Sequence, residues 1–181
     1  MRAVPVEIRA AAGFDPALHG EIEAAADELF RGHFGVLPWD ENAAGPAEDG
    51  HRERLIEAVE DGKVLGFARL LEVGEFLHLE QLSVRPDRAR RGIGAALVAA
   101  VLTDAAARGV RAVTLRTFAD VPWNAPFYER CGFRTVTDAP SRFHTELVHT
   151  EARMGLLEHG ERVHMIATPA DTPAAPSSRR T

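Results

Sequence analysis

The chain reads as an α/β (α+β) protein built on one mixed, mostly antiparallel sheet of about seven strands with helices on both faces. Three observations predict this. Leu55 to Glu60 and Lys63 to Val73 flank Asp61-Gly62, the strongest short hairpin signal, and Val73-Gly74-Glu75 turns again into a strand ending at Val84. That strand gives way at Arg85-Pro86-Asp87 to a helix and then to a buried strand from Val113 to Thr117, a crossover that makes the two strands parallel. Two further helix–strand units follow, so the order is β-α-β-β-β-α-β-α-β-α-β.

Taken in order, Val4 to Arg9 alternates as a first strand. Asp15-Pro16 supplies the N-cap and first position of a helix to about Phe30, with Leu18, Ile22, Ala26, Leu29 and Phe30 facing inward. Residues 32–50 form a long loop rich in Gly, Pro and acids, carrying Trp39 and Asp40. In the strand ending at Val84, Leu79, Gln81 and Ser83 are expected on one face and Leu82 and Val84 on the other. The next helix opens at Gly92 or Gly94, buries Ile93, Leu97, Val98, Val101, Leu102 and Ala105, and stops at Gly109. Asn124 to Cys131 is a short helix closed by Gly132, and Phe133 to Thr137 a strand. Ser141 to Met154 is helical, with Phe143, Leu147 and Met154 on one face, and Val163 to Ala167 is the last strand. One domain over 1–168 and a disordered tail over 169–181 are expected.

Composition narrows the function. At 181 residues, 45% hydrophobic and 27% charged, the chain is an ordinary globular one. A net charge of −6 argues against a nucleic-acid partner, despite the local cluster Arg85, Arg88, Arg90 and Arg91. One cysteine fits a reducing compartment, and no apolar run suggests a membrane, so a cytoplasmic location is expected. No metal is expected. His78-x-Glu80 lacks a following Pro-Cys-x-x-Cys, and His144 and His149, five apart, do not share a helix face.

Strand, then Arg90-Arg91-Gly92-Ile93-Gly94-Ala95, then helix N-terminus makes an anion site. Two residues without a Cβ let a phosphate near the backbone, and the first helical N–H groups point at it. On this segment alone, a tight turn needing two glycines explains the run as well. The run resembles motif A of the GNAT-type N-acetyltransferases, Gln/Arg-x-x-Gly-x-Gly/Ala, with Ala89 at its first position. Asn124 to Phe133, NAPFYERCGF, resembles motif B of the same family, in the right order and about one βα unit on. The likeness spans roughly Val6 to Ala167.

The resemblance implies the GNAT fold with two splayed central parallel strands. It also implies an enzyme that moves the acetyl group of acetyl-CoA to an amine, in a small molecule or a protein, by direct attack in a ternary complex. The rival from another class is a non-catalytic acyl-CoA-binding module. The coenzyme would lie along the backbone of Leu82, Ser83 and Val84, with the Leu82 N–H on the thioester carbonyl. Its phosphates would meet Arg90 through Ala95. Asn124, Phe127 and Tyr128 would flank its pantetheine arm. Dimers are common in that fold, so a homodimer is compatible.

Three residues are candidates for the chemistry and two for the acceptor. Tyr128, four residues after Asn124 on one helix face, is the acid for the departing thiolate, since a phenol near ~10 can share its proton with a thiol near ~8.5. Asn124 as a plain cap and Tyr128 as a core residue are the bland alternatives. Glu80 is the first choice of base because an inward carboxylate on a central strand is costly without a task, and His78 on the same face is the second. Either could instead hydrogen-bond a neighbour. Trp39 and Asp40 are candidates for attracting a cationic amine. Cys131, at a helix C-terminus, reads as packing.

Overall fold

A computed structural model describes residues 5–35 and 50–169. The loop with Trp39 and Asp40, and all but the first residue of the expected tail, lie outside the described residues. Strand β1 (Glu7–Ala11) leads to helix α1 (Leu18–Phe34), then β2 (Arg52–Glu60), β3 (Lys63–Val73) and β4 (Phe76–Val84). Helix α2 (Ile93–Arg108), β5 (Ala112–Phe118), α3 (Ala125–Arg130), β6 (Arg134–Val136), α4 (Arg142–Arg153) and β7 (Arg162–Ala167) complete the chain. The order of elements is the expected one. The strands form a seven-stranded sheet in the order β1-β2-β3-β4-β5-β7-β6, antiparallel except where β4 meets β5.

The Asp61-Gly62 turn pairs Glu60 with Lys63, and both central residues have positive φ, 52° and 74°, as a two-residue hairpin matched to strand twist requires. Helix α2 buries the six expected residues against Ile56, Ala58, Leu65, Ala68, Leu70, Leu77 and Leu79, with Leu82, Val84, Phe127 and Tyr128 at the margin. The other face carries α1, through Ile22 on Leu55, Val59, Val64 and Phe67, and α4, through Phe143 and Leu147 on Leu71 and Val73.

Two expectations about faces are corrected. Leu18 and Leu29 are exposed, at 38% and 47%, and His19 is buried in their stead. The reason is polar. His19 Nδ1 accepts the Asp15 backbone N–H at 2.8 Å, which leaves its Nε2–H to donate to Glu57 Oε1 at 2.9 Å, while Arg9 holds the other carboxylate oxygen at 3.2 Å. A satisfied ion pair under α1 thus sets the helix's rotation, where the sequence offered leucines. The second correction is in β4. Arg69 pairs with Gln81 but Leu70 pairs with Leu79, so Glu80 is the extra residue of a bulge. Alternation breaks there, and Leu79 shares its face with Leu82 and Val84 instead of with Gln81 and Ser83.

Gly66 was not singled out by the sequence, yet a Cβ there would stand 2.6 Å from the Ser83 carbonyl oxygen. Only glycine lets β3 press this close to the end of β4.

Candidate active site

The parallel ladder between β4 and β5 has three rungs, Phe76–Ala112, Leu77–Val113 and His78–Thr114. Beyond them β4 runs on to Val84, paired to β3 on one side only, while β5 pairs with β7 from Val113 to Phe118. The two strands therefore part after His78. The orientation of the freed groups follows from a neighbour. The Arg85 N–H donates to the Leu65 carbonyl on β3 at 2.8 Å, and by the two-residue period of a strand the N–H and C=O of Leu82 and Val84 face the gap.

Helix α2 begins beside this edge. Gly92 is its N-cap with φ 79° and ψ 3°, a left-handed conformation that disfavours side-chain-bearing residues. Ala96 is the first amide bonded back to the Gly92 carbonyl, so those of Ile93, Gly94 and Ala95 project from the helix end, with no acidic residue in the first turn. Of the flanking arginines, Arg91 and Arg88 both pair with Glu60, at 3.1 and 3.0 Å, and Arg90 has no ion pair among the described residues. Gly94 follows in the first turn, where a Cβ would meet Phe127 at 3.4 Å and Val84 at 3.9 Å, ordinary packing distances, so the fold itself does not require glycine there.

Helix α3 supplies the other wall. Asn124 is buried and caps nothing with its side chain, while its carbonyl accepts the N–H groups of Phe127 and Tyr128 at 2.9 and 3.0 Å. Tyr128 packs edge-on between Phe127 and Phe133, and its hydroxyl has no hydrogen bond among the described residues. Burial pushes its phenol well above the usual value, so it is held neutral. The Cys131 thiol is likewise pushed up by burial, away from thiolate.

On the opposite face, toward α4, lie the acid–base candidates. Burial raises the Glu80 carboxyl, and Glu151 and Glu53 add to the rise while Arg69 and Arg162 oppose it. His78 Nε2 stands 3.5 Å from Glu80 Oε2. Burial, with His144, His164 and His51 nearby, lowers its imidazole to about 3, so it is neutral at physiological pH and a poor proton acceptor. Close by, Glu151 bridges Arg116 and Arg162 at 2.5 Å each, all three nearly buried, a triad that sequence inspection did not single out. No individual motif marks it; only the pairing of β5 with β7 brings the arginines side by side. Among the described residues no cluster of three or more His, Cys, Asp or Glu is arranged to hold a metal ion, and no helix is long and apolar enough to cross a membrane.

The model of the acetyltransferase (GNAT) family matches residues 20–133, a stretch that takes in both motifs and the parted strands. The chain belongs to that family. Within it, a mycothiol acetyltransferase of Clavibacter michiganensis subsp. michiganensis is 46% identical over 77 residues, 41% of this chain and 24% of that protein, so the match spans about a quarter of that relative. Among solved structures, the ribosomal-protein-S18-alanine N-acetyltransferase of Escherichia coli superposes with a TM-score of 0.60 at 19% identity, covering 96% of this chain and 100% of that one. The PaiA N-acetyltransferase of Thermoplasma acidophilum, solved with coenzyme A, gives 0.59 at 16% identity over 90% and 99%. These two likenesses establish the GNAT fold.

The backbone at Gly92 yields a direct expectation. A β-branched residue in its left-handed conformation costs roughly 1–3 kcal/mol and shifts the first turn of α2. Gly92→Val is therefore expected to weaken acetyl-CoA binding at least tenfold by calorimetry, with near-native circular dichroism. Gly94→Ala, pressing only on the Phe127 ring, should cost less.

Proposed function

We propose that this GNAT-family chain transfers the acetyl group of acetyl-CoA to an amine by direct attack in a ternary complex. The observation that carries the reading is the unpaired edge of β4 at Leu82 and Val84, set beside the open amide end of α2. A pantetheine arm carries amide donors and acceptors spaced to add to such an edge as a strand would. A pyrophosphate suits the helix end, where Ile93 to Ala95 offer N–H groups and Arg90 a charge with no ion pair among the described residues. The thioester carbonyl then meets the Leu82 N–H, a donor that strengthens its bond as negative charge develops on oxygen.

The two faces of the sheet divide the remaining work. Asn124, Phe127 and Tyr128 lie with Leu82 and Val84 on the α2 side, where Tyr128, neutral and with no hydroxyl hydrogen bond among the described residues, gives its proton to the departing thiolate. Glu80 lies toward α4, the side from which an amine would approach, and takes the proton of the ammonium. The raised carboxyl of Glu80 and the low imidazole of His78 both favour Glu80 as base, with His78 supporting it. Atoms balance: the amine nitrogen bonds the acetyl carbon and the carbon–sulfur bond breaks; of the two protons the ammonium nitrogen loses, the first passes to Glu80 and the second restores Tyr128, whose own proton has gone to sulfur.

The test is thiol release from acetyl-CoA across a panel of small-molecule and peptide amines. Turnover on at least one amine is expected; coenzyme binding without turnover on any would sink the reading. Tyr128→Phe is expected to lower kcat about 10- to 1000-fold while leaving acetyl-CoA affinity nearly intact, because its hydroxyl acts on charge formed only in the transition state. An unchanged kcat would remove Tyr128 from the mechanism.

A further inference from the structure

Behind the proposed base lies an unbroken run of polar contacts that the reaction as described does not use. Glu80 Oε2 is 3.5 Å from His78 Nε2. His78 Nδ1 is 3.0 Å from Thr114 Oγ1, and the same hydroxyl is 2.8 Å from His144 Nε2. His144 Nδ1 is 2.8 Å from Ser141 Oγ, at the residue that caps α4. The run crosses from β4 through β5 to α4. His78, Thr114 and His144 are 2%, 1% and 0% exposed, so no water competes for them, whereas Ser141 is half-buried. Two imidazoles and a threonine are not needed to fill this space; three apolar residues would pack it without the desolvation they incur.

Hydrogen-bond valence makes the run directional. An ionised Glu80 can only accept, so His78 Nε2 must carry the proton and its Nδ1 must be a lone pair. Thr114 then donates to His78 Nδ1, which leaves its oxygen to accept from the Nε2–H of His144. The Nδ1 of His144 is in turn a lone pair, filled by the Ser141 O–H. From His78 Nδ1 outward every donor meets an acceptor, and the arrangement has one polarity as long as Glu80, 3.5 Å from Nε2, is a carboxylate.

We propose that Thr114, His144 and Ser141 are positioning residues for the acceptor side of the active site: they lock His78 as its neutral Nε2–H tautomer and aim that N–H at the Glu80 carboxylate. The inference rests on the reading of Glu80 as base. Its consequence is chemical. An N–H held at ion-pair distance from a carboxylate favours its charged form, as Arg69 and Arg162 also do, and so opposes the burial that raises the Glu80 carboxyl. The charged groups that face Glu80 are Arg69 on β3, Glu53 on β2, Glu151 on α4 and Arg162 on β7. Those facing His78 are His51, His144 and His164. His144 and His164 are themselves depressed to about 4 by burial, so neither ring adds a charge near neutrality. His164 stands 5.8 Å from His144, ring to ring, and both its nitrogens are buried without a partner among the described residues, so it does not divert the run.

Two measurements test this. Long-range proton–nitrogen correlation spectra of the nitrogen-15-labelled chain at pH 7 should show His78 and His144 each as a single Nε2–H tautomer. Either ring as Nδ1–H, or as a tautomeric mixture, overturns the polarity. Thr114→Val keeps the shape and removes the hydroxyl. It should lower kcat about tenfold and move the acidic limb of kcat/KM for the amine upward by roughly one pH unit, what one hydrogen bond to a carboxylate is worth, with the KM for acetyl-CoA unmoved. Thr114→Ser should restore both. A purely structural role would leave the pH limb in place, and a folded Thr114→Val with an unchanged profile overturns the proposal. Should Thr114→Val not fold, Ser141→Ala breaks the outer end, and its His144 must then lose its fixed tautomer. If Glu80→Gln keeps full turnover, the base reading falls and this role with it, whatever the spectra show of the tautomers.

Discussion

Glu80→Gln is expected to lower turnover by about 10²- to 10⁴-fold at neutral pH, the contribution of one positioned base, with acetyl-CoA affinity nearly unchanged. The loss should shrink as pH rises toward the amine's own pKa, near ~10 for an alkyl amine such as lysine, because the free amine then needs no base. In the unaltered enzyme, kcat/KM for the acceptor should climb with pH through the Glu80 carboxyl, whose position above the ordinary carboxylate range puts that limb at higher pH than a surface glutamate would. The sign on stability runs the other way. A carboxyl whose affinity for protons is raised by folding penalises the fold above its pKa, so the neutral amide should leave the melting temperature equal or higher. A drop in both activity and stability would mean a damaged fold instead of a missing base. If high pH rescues His78→Ala and not Glu80→Gln, the roles of the two residues exchange.

The second large effect is structural. Glu151→Ala removes the carboxylate that binds Arg116 and Arg162, whose side chains are only 8% and 14% exposed, and leaves two guanidiniums crowded together with little water. Breaking such a buried arrangement from one side typically costs ~3–5 kcal/mol, about 10 °C in melting temperature for a chain of this size. Arg162 also lies over the Phe118 ring at 4.6 Å, so its displacement would disturb the β5–β7 pair beyond the ionic contact. A melting temperature within 2 °C of the parent would show that water already carries these charges. Glu151→Gln, which keeps an oxygen for one arginine, should fall between.

What could be read from the sequence and what could not divide along a physical line. Local rules reached far. The turn at Asp61-Gly62, the buried stripe from Ile93 to Ala105 and the stop at Gly109 each depend on neighbours within a few residues. Polar pairs between distant segments were out of reach. Leu18 and Leu29 lost the inner face of α1 to His19 because Glu57, 38 residues away from it, holds that ring. The same applies to the triad at Glu151 and to the contacts from His78 to Ser141, which join strands and a helix that only the finished sheet brings together. The bulge at Glu80 was illegible for another reason. No residue type demands it, yet it re-aims the side chain proposed as base. Gly92 and Gly94 looked alike in sequence. Gly92 is tied to its place by a positive φ that spacing alone does not display, whereas a Cβ at Gly94 would make only ordinary contacts.

Among the described residues, the three rungs between β4 and β5 are also the only strand pairing that joins β1–β4 to β5–β7. At ~3.3 Å per residue, that weld is about 10 Å long, and roughly twice that length of β4 beyond it pairs with a strand on one side only. Were the coenzyme to lie in the gap as proposed, a small molecule would become a rib between two half-sheets, and cohesion of the chain would become a function of its concentration. A hundredfold excess over Kd would add about 2.7 kcal/mol to the folded state without one new protein–protein contact. On the proposed reading, the opening that makes room for chemistry is also a joint, which the coenzyme would stiffen.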